Sequence, residues 1–140
     1  MPPISCGRLN LVKEVKMAEK KPKILIVDDE ESIHLLYREE LSEEGYDVIS
    51  AMSGPEALEL VEKEAPDLVV LDINMPGMNG LEVLRTIKEK NPRLPVILCS
   101  AYPEFKQDLS SWASDDYIVK SYDLTELKES IKRNLAKAQS

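Results

Sequence analysis

The chain has 140 residues, of which 43% are hydrophobic and 31% charged, with nine prolines and five glycines. That is the composition of an ordinary folded domain, long enough to remove roughly two thirds of its unfolded surface from water. A formal charge of −8 argues against a phosphate-binding basic surface and hence against direct nucleic-acid contact.

Residues 1–21 carry five basic and two acidic side chains, a net +3, which leaves residues 22–140 at −11. This leading stretch reads as a mobile N-terminal extension, a cloning remnant or sequence upstream of a start at Met17, and the domain proper spans 22–140. Its longest apolar run is Leu11-Val12, so no signal-peptide core is present, and no run in the chain approaches a membrane span. Cys6 and Cys99 lie 93 positions apart and the chain has one histidine, so neither a disulfide framework nor a zinc site is indicated. A reducing cytoplasm is the expected compartment.

The first element is the apolar run "KILIV" (23–27), which reads as a strand covered on both faces. Ile33, Leu36, Tyr37 and Leu41 then follow helical spacing, and Gly45 marks the stop. "DVIS" (47–50) is a mixed strand suited to an outer position. Ser53-x-x-Glu56 opens a second helix as a capping box. "LVVL" (68–71) is a third strand, Asn79-x-x-Glu82 starts a third helix, and "PVILC" (95–99) is a fourth strand. A weaker helix covers Glu104 to Trp112, "YIVK" (117–120) is a fifth strand, and Asp123-x-x-Glu126 leads the stripe Leu124, Leu127, Ile131 and Leu135. Five alternating strands and helices with right-handed crossovers make an α/β fold with a doubly wound parallel sheet.

The polar residues fall at one kind of place. Asp28 and Asp29 follow the first strand, Asp72 the third, Ser100 the fourth, and Lys120 the fifth. Carboxyl ends of parallel strands share one edge, where ligands bind in α/β sheets. Two like charges 4 Å apart repel by about 4 kcal/mol at an effective dielectric near 20, so three converging acids cost on the order of 10 kcal/mol without compensation. Hard carboxylate oxygens without histidine or cysteine favour Mg²⁺ or Mn²⁺, and Mg²⁺ shares its shell with phosphate oxygens. One carboxylate can then attack phosphorus. Asp72 is the best placed, between a strand and the loop "INMPGMNG"; Lys120 would neutralise a phosphoryl oxygen and Ser100 donate to another. Singly, each residue has a plainer reading: turn or cap aspartates, a turn hydroxyl, a solvated lysine. Jointly, on one edge with complementary charge, they form a site.

"ILIVDDEES", "PDLVVLDINMPGMNGLEVL", "PVILCSAY" and "DDYIVKSY" at this spacing resemble the receiver domain of bacterial two-component response regulators, over residues 22 to about 137. The resemblance implies the flavodoxin-like strand order 2-1-3-4-5. It implies Asp72 as acceptor of a phosphoryl group from a histidine kinase or phosphotransfer protein, and slow self-dephosphorylation rather than enzymatic turnover. Mg²⁺ would be held by Asp28, Asp29, Asp72 and the backbone carbonyl of Asn74. Ser100 occupies the switch hydroxyl position, Ala101 the small residue after it, and Tyr117 the switch aromatic. Phosphorylation would draw Ser100 inward and let Tyr117 follow, repacking the face of the fourth helix, fifth strand and fifth helix for a downstream protein target.

Two departures accompany the likeness: Ser121 stands where proline usually follows the lysine, and "SSWASDDY" shortens the fourth-helix region. A chain ending at residue 140 reads as a stand-alone receiver, or as a receiver fragment whose output domain is missing. His34 is read as structural or solvated and is given no chemistry. Cys99 is read as sheet packing, Trp112 as core, Glu30 as helix-start charge and "REELSEEG" as a solvated face. Competing functions are an aspartate-nucleophile phosphohydrolase, which lacks a second acid two residues after Asp72, a flavin-binding protein, opposed by three acids after the first strand, and an inert domain.

Overall fold

Strand and helix alternate along the chain, so each helix can bury its apolar stripe only on a face of a shared sheet. The computed structural model describes residues 21–73, 80–100, 116–120 and 123–138. Its elements run β1 (Lys23–Val27), α1 (Glu31–Glu43), β2 (Asp47–Ala51), α2 (Gly54–Glu64), β3 (Leu68–Asp72), α3 (Gly80–Lys90), β4 (Val96–Ser100), β5 (Asp116–Val119) and α4 (Thr125–Ala138). The helix expected over Glu104 to Trp112 lies outside the described residues. So do Cys6, Asn74, the Asn79 cap, Ala101 and Ser121, and residues 1–20 of the leading stretch.

All strands pair in parallel in the order β2-β1-β3-β4-β5, as expected. The continuous apolar runs occupy the centre: β3 and β4 are buried at every residue and β1 at four of five. Mixed β2 and β5 take the edges, where one flank has no strand neighbour among the described residues. Period-two alternation divides the core into two layers. Leu25, Val27, Val69, Leu71 and Leu98 face α2 and α3, while Ile24, Ile26, Val70, Ile97 and Cys99 face α1 and α4.

Local signals set the helix ends. Gly45 adopts φ +93, its N–H bonds Ser42 O at 3.0 Å and the Tyr46 N–H bonds Leu41 O at 3.2 Å, the paired bonds that close a helix through a left-handed glycine. The Ser53 side chain accepts from the Glu56 N–H at 3.3 Å, and Glu56 reaches back to the Met52 N–H at 2.7 Å rather than to that of Ser53. Asp123 caps α4 through Thr125, accepting from its N–H at 3.0 Å and its hydroxyl at 2.6 Å.

Candidate functional site

Register decides what meets at the carboxyl edge of the sheet. Asp72 ends β3 opposite Cys99, and Ser100 ends β4 opposite Val119. Backbone bonds extend the pairing past the strand ends: Asp28 N–H to Ala51 O at 3.1 Å, Ile73 N–H to Cys99 O at 3.2 Å, and Lys120 N–H to Ser100 O at 2.7 Å. Residues up to 92 positions apart, Asp28 and Lys120, thereby share one rim.

Asp28, Asp29 and Asp72 each bring a carboxylate oxygen within 4.8 Å of the others. Asp28 is 2% exposed and Asp72 3%, whereas Asp29 faces solvent. The Lys120 ammonium lies between them, 2.7 Å from Asp28 Oδ2 and 3.2 Å from Asp72 Oδ2. Burial alone would push the lysine pKa down, but its hydrogen bond to Asp28 and the charges of Asp72 and Asp28 outweigh it and hold the group above its ordinary value. Glu30 caps α1 without a side-chain cap bond and instead leans toward the rim, with Oε1 3.6 Å from Lys120. It is more than helix-start charge, although its side chain remains largely exposed.

Among the described residues, one lysine faces three clustered acids, so carboxylates outnumber the ammonium at the rim. An all-carboxylate donor set with that excess fits a hard divalent cation, Mg²⁺ or Mn²⁺. Burial pushes the Cys99 thiol up to about 12 against the pull of Lys120, and burial, followed by the negative potential of Cys99, Asp28 and Asp72, raises the Tyr37 hydroxyl as well.

Ser100 is fully buried, and the alternation of β4 places it on the Leu98 side of the sheet. Tyr117, opposite Leu98, is 1% exposed on that same side, so the two proposed switch positions share a face. The Asp116 carboxylate ties β5 to α4, accepting from the Tyr117 N–H at 2.9 Å, from Ser130 Oγ at 2.5 Å and from Arg133.

Two contributors escaped sequence reasoning. His34 is buried, and its Nε2 donates to the Asp28 carbonyl at 2.7 Å; a lone helical histidine gave no sign of this. Gly80 opens α3 where an added Cβ would lie 2.5 Å from Ile73 Cα and 2.8 Å from Asp72 O, so α3 packs directly on the backbone that carries Asp72. Nothing local in the loop "INMPGMNG" signalled this close approach. A cavity of about 350 Å³ lined by Val61, Pro66, Pro92 and Leu94 opens at the opposite edge of the sheet, away from the acids.

Known proteins place the rim in context. The family model described as "Response regulator receiver domain" matches residues 24–132. The chain is 38% identical over 115 residues to sporulation initiation phosphotransferase F of Bacillus subtilis (strain 168), covering 81% of this chain and 93% of that one. It spans about half the length of several curated transcriptional regulators that it also matches. Among solved structures, the response regulator protein TrrA of Thermotoga maritima in complex with Mg(2+)-BeF is similar with a TM-score of 0.76 and 49% identity, covering 80% of this chain and 97% of that chain. TrrA in complex with the histidine kinase ThkA gives a TM-score of 0.75 at 49% identity, over 81% of this chain and 97% of that one.

Proposed function

The chain belongs to the response-regulator receiver domain family, and on that footing we propose that it is a phosphoacceptor switch whose Asp72 takes a phosphoryl group from a histidine kinase or phosphotransfer protein. The observation that carries this reading is a lysine, Lys120, bonded to both Asp28 and Asp72 inside a three-carboxylate cluster among the described residues. That charge balance is incomplete without a cation, and Asp72 is the member anchored as the last residue of a fully buried strand.

In the proposed reaction a carboxylate oxygen of Asp72 attacks the donor phosphorus. The bond from phosphorus to the donor's imidazole nitrogen breaks, its electron pair stays with the imidazole, and the phosphoryl group ends as an acyl phosphate on Asp72. Asp28, Asp29 and Asp72, with the Asn74 carbonyl, would hold Mg²⁺, which when bound offsets the carboxylate charge and coordinates phosphoryl oxygens. Lys120 stays protonated across the working pH range and turns its ammonium to a phosphoryl oxygen. The Ser100 hydroxyl donates to another, and the small Ala101 leaves room for the group.

Attack by water on the acyl phosphate resets the switch slowly, and the chemistry ends with the chain's own phosphorylation and dephosphorylation. Ser100 and Tyr117 face one side of the sheet, which supports a readout in which movement of the hydroxyl toward Asp72 changes the space around the phenol and repacks the face of β5 and α4. A downstream protein reads that face. The kinase complex of TrrA supports the choice of donor. Neither nucleic acid nor bilayer is a proposed partner: the chain carries −8, and no helix among the described residues is long and apolar enough to cross a membrane. The cytoplasm is the proposed location.

Incubation with acetyl phosphate and Mg²⁺, followed by intact mass measurement, tests the assignment. One phosphoryl adduct is expected, and its formation is prevented by EDTA and by Asp72→Asn. An adduct that persists in Asp72→Asn refutes Asp72 as the acceptor.

A further inference from the structure

His34 is a buried imidazole that the phosphoacceptor chemistry leaves unused. It is 5% exposed, and its Nε2 lies 2.7 Å from the Asp28 carbonyl oxygen. A carbonyl can only accept, so the proton sits on Nε2. Nδ1, also buried, has no hydrogen-bond partner among the described residues. A half-satisfied ring is a poor choice for packing alone, because a buried polar atom without a partner costs stability that an apolar side chain of similar size avoids.

The value of the ring lies in which carbonyl it holds. The Asp28 carbonyl belongs to the peptide that joins Asp28 to Asp29, two of the three clustered acids. The other groups of Asp28 are held by other partners: its N–H by Ala51 O at 3.1 Å, Oδ1 by the Glu30 N–H at 2.9 Å, and Oδ2 by Lys120 at 2.7 Å. A cation entering the cluster competes with Lys120 for the carboxylates. The tie from His34 to the peptide plane does not involve a carboxylate, so it survives that exchange and keeps both acids aimed.

We infer that His34 is a positioning residue that preorganises the Asp28–Asp29 pair for Mg²⁺ by pinning the peptide between them. The inference rests on the Mg²⁺-dependent reading of the site. Mg²⁺ demands near-octahedral geometry, and a peptide free to rotate must be ordered when the ion binds.

Calorimetric Mg²⁺ titration of the full chain, without phosphoryl donor, provides the test. Losing one net hydrogen bond is expected to weaken binding about fivefold in His34→Leu. His34→Gln, whose amide nitrogen can stand in for Nε2, is expected to stay within about twofold of wild type, since the bond is kept. Urea unfolding in EDTA, run in parallel, verifies that His34→Leu is folded throughout the titration, since the buried Asp28 carbonyl loses its donor in that variant. Equal Mg²⁺ affinity in wild type and His34→Leu overturns the inference, and so does a His34→Gln protein as weak as His34→Leu. Should His34→Leu fail to fold, His34→Met carries the same comparison. A wild type that binds no Mg²⁺ overturns the underlying reading and this inference together, whereas a Mg²⁺-binding wild type with unaffected variants overturns this inference alone.

Discussion

Lys120→Met keeps most of the lysine stem and removes the charge that bridges Asp28 and Asp72. The ammonium sits 2.7 Å from Asp28 and 3.2 Å from Asp72, with its side chain 14% exposed and theirs 3% and 4%. Breaking a buried pair by removing one partner costs about 3–5 kcal/mol, because the remaining charges are left uncompensated. The loss is expected in urea unfolding with EDTA present, and saturating Mg²⁺ should restore more stability to the variant than to wild type, since the ion replaces the missing positive charge. The same pair sets an alkaline limit. Contacts with Asp28 and Asp72 raise the lysine's folded-state pKa, so its contribution is complete below about pH 10.5, the unfolded value, and fades as pH rises through the higher folded value. Wild type should lose that increment in strong alkali and Lys120→Met should not. A loss below about 1 kcal/mol in EDTA, the scale of an exposed pair, or an equal Mg²⁺ effect in both proteins, would refute the electrostatic account.

Gly80→Ala places a methyl group 2.5 Å from Ile73 Cα and 2.8 Å from the Asp72 carbonyl, where only backbone can yield. A cost of about 1–3 kcal/mol in urea unfolding is expected, typical of overpacking, together with slower acetyl-phosphate labelling of Asp72; unchanged values of both would mean that α3 shifts freely. Cys99, buried and with its thiol pushed up to about 12, is expected to resist iodoacetamide near neutral pH until denaturant is added, as read by peptide mass mapping. Because its neutral form is favoured in the fold, its contribution to stability holds below about pH 9 and falls between there and 12. Labelling of the native peptide at the denatured rate would show an open strand end.

Much of this architecture was readable in one dimension. Strands covered on both faces announce themselves as unbroken apolar runs, so β1, β3 and β4 emerged within a residue of their ends, and Gly45 and Ser53 marked helix boundaries through local conformational energies. Asp28, Asp72, Ser100 and Lys120 stood out because a parallel sheet gathers strand ends at one edge, whatever fills the loops. Legibility of this sort comes from short-range causes: period, cap and strand terminus are each set within a few residues.

What sequence could not disclose depends on contacts across the fold. His34 looked like any helical histidine until α1 packed its ring against the carbonyl between the two acids. Glu30 read as a helix-start charge, and only the return of the chain at β5 brought Lys120 within 3.6 Å of it. Gly80 needed no unusual backbone angle, so nothing local marked it; the requirement comes from the Asp72 carbonyl crossing beneath α3. The residue types at the strand ends determined which chemistry was available, an acid cluster with a lysine and a hydroxyl. Tertiary packing alone decided how those charges are held, because hydrogen bonds and Coulomb forces act over ångströms in space and take no account of separation along the chain.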